Sequence, residues 1–285
     1  MKVDSHVHFW PYQAQAYPWI SEVLARLGGR DGVVAVQARH HSDETAWLLE
    51  LATQTPMVQA VVGWVDFFSE DATHWMSHWQ SHGAFKGLRH LLQDEPDVAR
   101  WVHHPQVRSC MRWLQQNGLV FDLLVFEHQM PAVTSFCRRH DQHLIVLDHL
   151  GKPDGRTSDK NQVWRSPWRS WLQTLAALPH VVCKLSGLVT QTARSDASTF
   201  TERDRDWAMA CMDVALEAFG ANRLLYGSDW PVCELACSHA HMLEITQAWA
   251  RSRLSQDEQY LFWGENASRC YGLLGQQLSV SEGHA

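Results

Sequence analysis

The sequence predicts a single α/β domain, a (β/α)8 barrel of the TIM type, from three observations. Eight short apolar runs rich in β-branched residues recur, amphipathic stretches of helical period fall between them, and composition does not break along the 285 residues. Repeated strand-then-helix units build parallel sheets, and such barrels commonly reach about 250 residues as one unit. With 45% hydrophobic residues, the chain can bury one large core without a disulfide or metal staple.

The apolar runs cover residues 3–9, 32–39, 57–67, 85–91, 119–126, 143–150, 180–188 and 223–230. Several of them, such as VVAV, QAVVGWV and HLIVLDHLG, are almost continuously apolar, as strands covered on both faces must be. Helical periodicity falls at 44–54, 70–81, 105–117, 128–140, 166–178, 206–219 and 239–251. Gly118 and Gly220 stand just past two of these helices, where a left-handed cap favours glycine. Final helices are expected from about residue 255, and a loose tail from about 276. The polar stretches 152–165 and 190–205 follow the sixth and seventh runs and are expected as loops over the barrel mouth.

Composition narrows the partners. The net charge is −7 and no run of five basic residues occurs, so the electrostatic footprint of a nucleic-acid or anionic-membrane binder is missing. The opening MKVDSHVHFW places an aspartate and two histidines where a secretory leader needs an apolar run, and no stretch of eighteen apolar residues follows. The expectation is a cytoplasmic protein acting on a small molecule, with no nucleic-acid or membrane partner. Seven cysteines, odd in number and never spaced C-x-x-C, argue against a disulfide framework and against a cysteine zinc site.

Chemistry-bearing residues gather at the ends of the runs, where a barrel presents its active site. In the first run, two-residue periodicity puts Asp4, His6 and His8 on one face and Val3, Ser5 and Val7 on the other. A His-x-His pair ending a first strand can chelate one metal ion or grip one oxyanion; the bland reading is a pair of structural histidines. The eighth run puts Leu225, Gly227 and Asp229 on one face and stops at Trp230 and Pro231, leaving the Asp229 carboxylate at the mouth. The bland role for that aspartate is a helix cap. In the sixth run Ile145, Leu147 and His149 share a face, so a third imidazole reaches the mouth while Asp148 points outward into a supporting hydrogen bond. Lys184 shares a face with Ser186 on the seventh run. On the fourth, Arg89 falls opposite Lys86 and His90, and alternation alone does not say which side faces inward.

Four motifs follow one another: D-S-H-V-H-F-W from Asp4, D-H-L-G-K-P from Asp148, Y-G-S-D-W-P-V from Tyr226 and G-E-N-A-S-R-C-Y from Gly264. Together, over nearly the whole chain, they resemble the amidohydrolase superfamily, its amidohydrolase-related family, and within that the branch containing sugar-acid and dicarboxylate lactonases. The resemblance implies that His6 and His8 are the strand-one pair, His149 the strand-six histidine and Asp229 the strand-eight general base, and it favours Arg89 as the inward cation of strand four. It implies hydrolysis of a sugar-acid lactone such as an aldonolactone. Asp229 would take a proton from water, the water would attack the lactone carbonyl, and the proton would pass to the departing ring oxygen. His6, His8 and His149, with Arg89 or Lys184, would hold the oxyanion. Ser186 and His90 complete the candidate substrate-binding set, with Trp10 and Trp230 as walls for the sugar ring.

Expectations for metal turn on what is missing. The resemblance implies, for binuclear members of the superfamily, a bridging lysine or glutamate late on strand four and a histidine ending strand five. Here Lys86 lies near the start of strand four, and strand five reads VFDLLVF with His128 only in the following helix, so two metals are not expected. His6, His8, His149 and Asp229 form a candidate single site for Zn²⁺ or Mn²⁺. A lactone is an activated ester that Arg89, Lys184 and a protonated histidine can polarise. The first expectation is therefore that no cofactor is required, with one divalent ion as the alternative. The alternative reaction, metal-dependent decarboxylation of an aromatic or muconate-type acid, would need that ion.

Overall fold

Eight strands pair in chain order, each parallel to the next: β1 (Val3–Val7), β2 (Gly32–Val36), β3 (Val58–Gly63), β4 (Phe85–His90), β5 (Val120–Leu123), β6 (Ile145–Leu147), β7 (Val181–Leu185) and β8 (Leu224–Tyr226). A parallel bridge between Val7 and Trp230 brings the chain after β8 back to β1 and closes the (β/α)8 barrel. The closing bonds lie at the C-terminal end of the strands, where His8 N–H donates to Trp230 O (2.8 Å) and Asp229 N–H to His6 O (3.0 Å). This computed structural model describes residues 1–9, 29–156, 159–192 and 200–273, so Trp10 and the tail from 276 lie outside the described residues.

Helices α1 (Ser42–Gln54), α2 (Ala72–Gln80), α3 (Pro105–Gln116), α4 (Met130–Arg139), α5 (Pro167–Ala176), α6 (Glu202–Phe219) and α7 (His239–Arg253) fall where helical periodicity places them. The start of α6 is earlier than the apolar period suggests. There Thr201 and Asp204 satisfy each other's backbone N–H in a capping box, which extends the helix into a polar segment. Gly118 and Gly220 both take a φ of 67°. A short helix at Val98–His103 precedes α3 and was not expected from periodicity.

The strand residues divide between two hydrophobic layers. Val34, Val36, Ala60, Val62, Val120, Val146, Val182 and Leu225 pack inside the barrel. Ala267 and Cys270 of helix α8 (Asn266–Cys270), with the adjoining Tyr271, join them. Asn266 Nδ2 ties α8 to the start of β8 by donating to Ala221 O and Leu224 O, both at 2.8 Å. Val33, Ala35, Leu88, Phe121, Leu123, Ile145 and Leu147 face the helices, and burial of each such side chain contributes about 1.5–3 kcal/mol.

Two face assignments from alternation are corrected. In β1 the register shifts between Asp4 and Val7, so Val3 lies in the interior layer and Val7 in the outer one. In β6 the inward residue is Val146, with Ile145 and Leu147 against the helices. That strand ends at Leu147, so His149 reaches the mouth through the turn that follows, and Asp148 points into the barrel rather than outward. Among the described residues no helix is long and apolar enough to cross a membrane.

Candidate active site

Three imidazoles surround one carboxylate at the mouth. The Nε2 atoms of His8, His6 and His149 lie 3.4, 3.8 and 3.9 Å from Asp229 Oδ1, and the Nε2 atoms of His6 and His8 are 3.2 Å apart. Each ring is held by its other nitrogen. His8 Nδ1–H donates to Val36 O (2.8 Å), His149 Nδ1 hydrogen-bonds Ser186 Oγ (2.8 Å), and His6 Nδ1 lies 3.4 Å from Asp148 Oδ1 and 3.1 Å from Lys184 Nζ. All four mouth residues are at least 95% buried, so neighbours rather than solvent fix their rotamers.

Backbone strain aims two of the four. The turn after β6 is left-handed through His149 (φ 52°), Leu150 (φ 55°), Gly151 (φ 68°) and Lys152 (φ 49°), and Lys152 N–H donates to His149 O (2.8 Å) to close it. Asp229 also has a positive φ, 57°. Each non-glycine residue there costs roughly 1–2 kcal/mol, a strain that persists only where surrounding packing overdetermines it. Gly187 makes the room: a Cβ at that position would stand 2.5 Å from His149 Nδ1.

Beneath the histidines lies a buried charge network. Arg89 Nη1 donates to Asp148 Oδ2 (3.1 Å) and comes to 3.2 Å from His6 Nε2, while a second guanidinium N–H donates to Gln37 O. Lys184 pairs with Asp122 and with Asp148 Oδ1 (3.1 Å), and Tyr271 O–H donates to Asp122 Oδ1 (3.1 Å). Arg89 is 2% exposed and Lys184, Asp122 and Asp148 are 0% exposed. Of the three strand-four candidates the structure brings Arg89 to His6. His90 lies on the helix side, stacked on His40 and Trp101 and bonded to Glu95 Oε1 (2.7 Å), and Lys86 sits near the opposite end of the barrel beside Asn117 and His143. Ser186 is buried against His149, and Trp230 is half-buried against the outer layer. Lys184, expected at the substrate, is fully buried under His6 with two carboxylate partners.

Asp122 and Gln37 were not singled out from the sequence. Asp122 did carry a signal: an aspartate inside the apolar run VFDLLVF must find a cation if the strand is covered on both faces.

Burial decides most charge states. It pushes His149 down to about 4, against the pull of Asp229 and Asp148, and carries His6 well below its ordinary value. Burial thus favours the neutral form of both rings. For Asp229 burial would raise the carboxyl, but the imidazoles, His149 foremost, and a hydrogen bond from His8 hold it well below the usual range. Lys184 stays charged because Asp122 and Asp148 outweigh its burial, and Asp148 stays ionised against burial through Lys184 and His6.

The depressed histidines predict a pH dependence of stability. Burial also lowers His90 and His140 to about 4, in the case of His140 with help from Arg139 and Arg108. Below the ordinary value of 6.5 the unfolded chain takes up protons at these sites that the folded chain refuses, so stability falls as pH drops from about 6.5 to about 4. Each contributes up to about 1.4 kcal/mol per pH unit. Asp122, which burial pushes up to about 6, opposes one of them. Urea midpoints at pH 7.0, 6.0 and 5.0 should decline in that order; a midpoint that rises toward pH 5 would contradict the assignment.

The donor set fits a single divalent ion. His8 Nε2 stands 3.2 Å from His6 Nε2 and 3.4 Å from Asp229 Oδ1. Bonds of 2.0–2.1 Å to a tetrahedral zinc imply donor separations of about 3.3 Å. Among the described residues two overlapping groups meet metal spacing, His6, His8 and Asp229, and His6, Asp148 and His149. Asp148 is already committed to Arg89 and Lys184. Residues that could hold one ion are therefore brought together, as the alternative expectation has it, and Arg89 and Lys184 lie beneath them with carboxylate partners.

The chain is similar to known proteins over nearly its whole length. Residues 3–273 match the family described as Amidohydrolase. The chain is 44% identical to an L-fucono-1,5-lactonase of Burkholderia multivorans, over 96% of each chain. It is 32% identical to an L-fucono-1,5-lactonase of Burkholderia ambifaria, over 95% of each. It also superposes with a TM-score of 0.87 on a crystal structure of an amidohydrolase from Burkholderia multivorans solved with zinc bound, at 43% identity, covering 95% of this chain and 99% of that one. A 2,6-dihydroxybenzoate decarboxylase from Rhizobium, at 14% identity and a TM-score of 0.64, shares the fold alone.

Proposed function

The chain belongs to the amidohydrolase family, and on that premise we propose that it is a lactonase that opens a sugar-acid lactone, with L-fucono-1,5-lactone as the first substrate to try. One observation carries the reading: an ionised Asp229 carboxylate at the barrel mouth, ringed by three imidazole Nε2 atoms at 3.4–3.9 Å. Asp229 accepts a proton from the attacking water while the water oxygen bonds to the lactone carbonyl carbon. The tetrahedral centre then expels the ring oxygen, and Asp229 returns the proton to it. A carboxyl held well below its ordinary range is an eager donor in that second step.

His6, His8, His149 and Asp229 would hold one zinc or manganese ion, which when bound supplies Lewis-acid polarisation of the carbonyl. Arg89 and Lys184 act at one remove, fixing Asp148 and through it the orientation of His6.

The decisive assay offers purified protein a panel of aldono-1,5- and 1,4-lactones alongside aromatic and muconate-type acids, before and after chelation, with metal content measured by elemental analysis. L-Fucono-1,5-lactone should open with kcat/KM of at least about 10⁴ M⁻¹s⁻¹, a typical enzymatic value, and zinc-loaded protein should carry one ion per chain. Release of carbon dioxide from the acids, with no lactone opened, would replace this reading with the decarboxylase.

A further inference from the structure

With Arg89 and Lys184 paired to carboxylates beneath the histidines, a cation that meets negative charge on the substrate in the ion-free protein must come from elsewhere at the mouth. Hydrolysis of a neutral lactone places that charge on the carbonyl oxygen at the tetrahedral stage, and the acid product then ionises to a carboxylate.

Lys152 can be that cation. It is only partly buried, unlike Arg89 and Lys184. The left-handed turn that aims His149 ends on Lys152, and the bond from Lys152 N–H to His149 O fixes the two residues one turn apart. Its ammonium lies over the Phe126 ring (5.2 Å from the centroid) and donates to Gln93 Oε1, a neutral acceptor that leaves the charge uncompensated. Gln93 and Phe126 follow β4 and β5, so the ammonium stands at the C-terminal end of the strands, the end that carries His149. Three consecutive positions with positive φ before it, two of them bearing side chains, would be a wasteful way to end a strand unless both His149 and Lys152 had to face the mouth.

On these grounds, and resting on the lactonase reading, we propose that Lys152 is the substrate-binding cation of this site, recognising the anionic oxygen that forms at the lactone carbonyl and the carboxylate to which the product acid then ionises.

The test separates charge recognition from turnover. In chelator-treated protein, so that no ion contributes, isothermal titration compares L-fuconate, the open-chain product of L-fucono-1,5-lactone, with L-fucitol, the alditol of the same chain. Wild type should prefer the carboxylate by at least about tenfold, close to 1.4 kcal/mol. Lys152→Gln should bring the ratio to within about threefold of unity with L-fucitol affinity unchanged, and Lys152→Arg should retain the preference. Lys152→Met, which keeps the apolar stem against Phe126, serves as the second variant if the glutamine protein does not fold. A wild-type ratio near one, or a ratio that survives both neutral substitutions, overturns the proposal. Lactone opening by wild type is measured in parallel: opening with an unchanged ratio in the variants sinks Lys152 alone, whereas a Lys152-dependent ratio without opening sinks the lactonase reading and leaves carboxylate recognition standing.

Discussion

Asp229→Asn is expected to lower kcat/KM for the lactone by about a thousandfold or more while leaving the unfolding transition where it is or moving it slightly upward. The amide has the same shape but cannot take a proton from water, so the loss reads proton transfer rather than packing. The backbone tolerates the change, because Asn is among the few side-chain-bearing residues that accept a φ of 57° readily. The amide keeps one oxygen acceptor and adds an N–H that can donate to an imidazole Nε2 among those 3.4 to 3.9 Å away. Stability therefore has no reason to fall. Circular dichroism and a thermal melt check the fold, and initial rates at several lactone concentrations give kcat/KM. Activity within tenfold of wild type would remove Asp229 as the base.

Much of the barrel was legible because its strands are covered on both faces and read as eight apolar runs between helical periods. What alternation could not carry was the inside and outside of each strand near its ends. A register shift in β1 and the early end of β6 each break the two-residue rule, and both occur beside the site, where the chain leaves the sheet to present His8, Asp148 and His149. The start of α6 was misplaced for a different reason: a capping box, not an apolar residue, nucleates it.

The four mouth residues were legible because each closes a strand run with a side chain that has little reason to sit in a core unless it has work there. The roles of the buried cations were not. From sequence, an arginine and a lysine near strand ends look available to substrate, since nothing local says that Asp122 and Asp148 converge on them from neighbouring strands. Pairings between strands five, six and seven are long-range facts, and they consume the charge of both residues. Lys152 presents the converse case. A lysine in a polar stretch after a strand reads as solvated, and only the left-handed turn directs it back over the mouth.

Lys184→Met is expected to cost about 3–5 kcal/mol of folding stability, a large share of the 5–15 kcal/mol that a typical domain has in total. Methionine fills nearly the same volume, so the expected loss is electrostatic. It leaves Asp122 and Asp148, both fully buried, with Arg89 as the remaining cation between two carboxylates, and Asp122 with only the hydrogen bond from Tyr271. If that account is right, the cost should shrink when the stranded charge is removed as well. The double variant Asp122→Asn with Lys184→Met should be more stable than Lys184→Met alone, which is opposite to the simple addition of two destabilising substitutions. Urea unfolding of wild type, both single variants and the double variant supplies the cycle. A loss below about 1 kcal/mol for Lys184→Met, or a double variant less stable than Lys184→Met, would mean that Lys184 does not balance this pair of carboxylates. Its proximity to His6 would then have to be explained by a direct part in the chemistry, the role its place on the seventh strand first suggested.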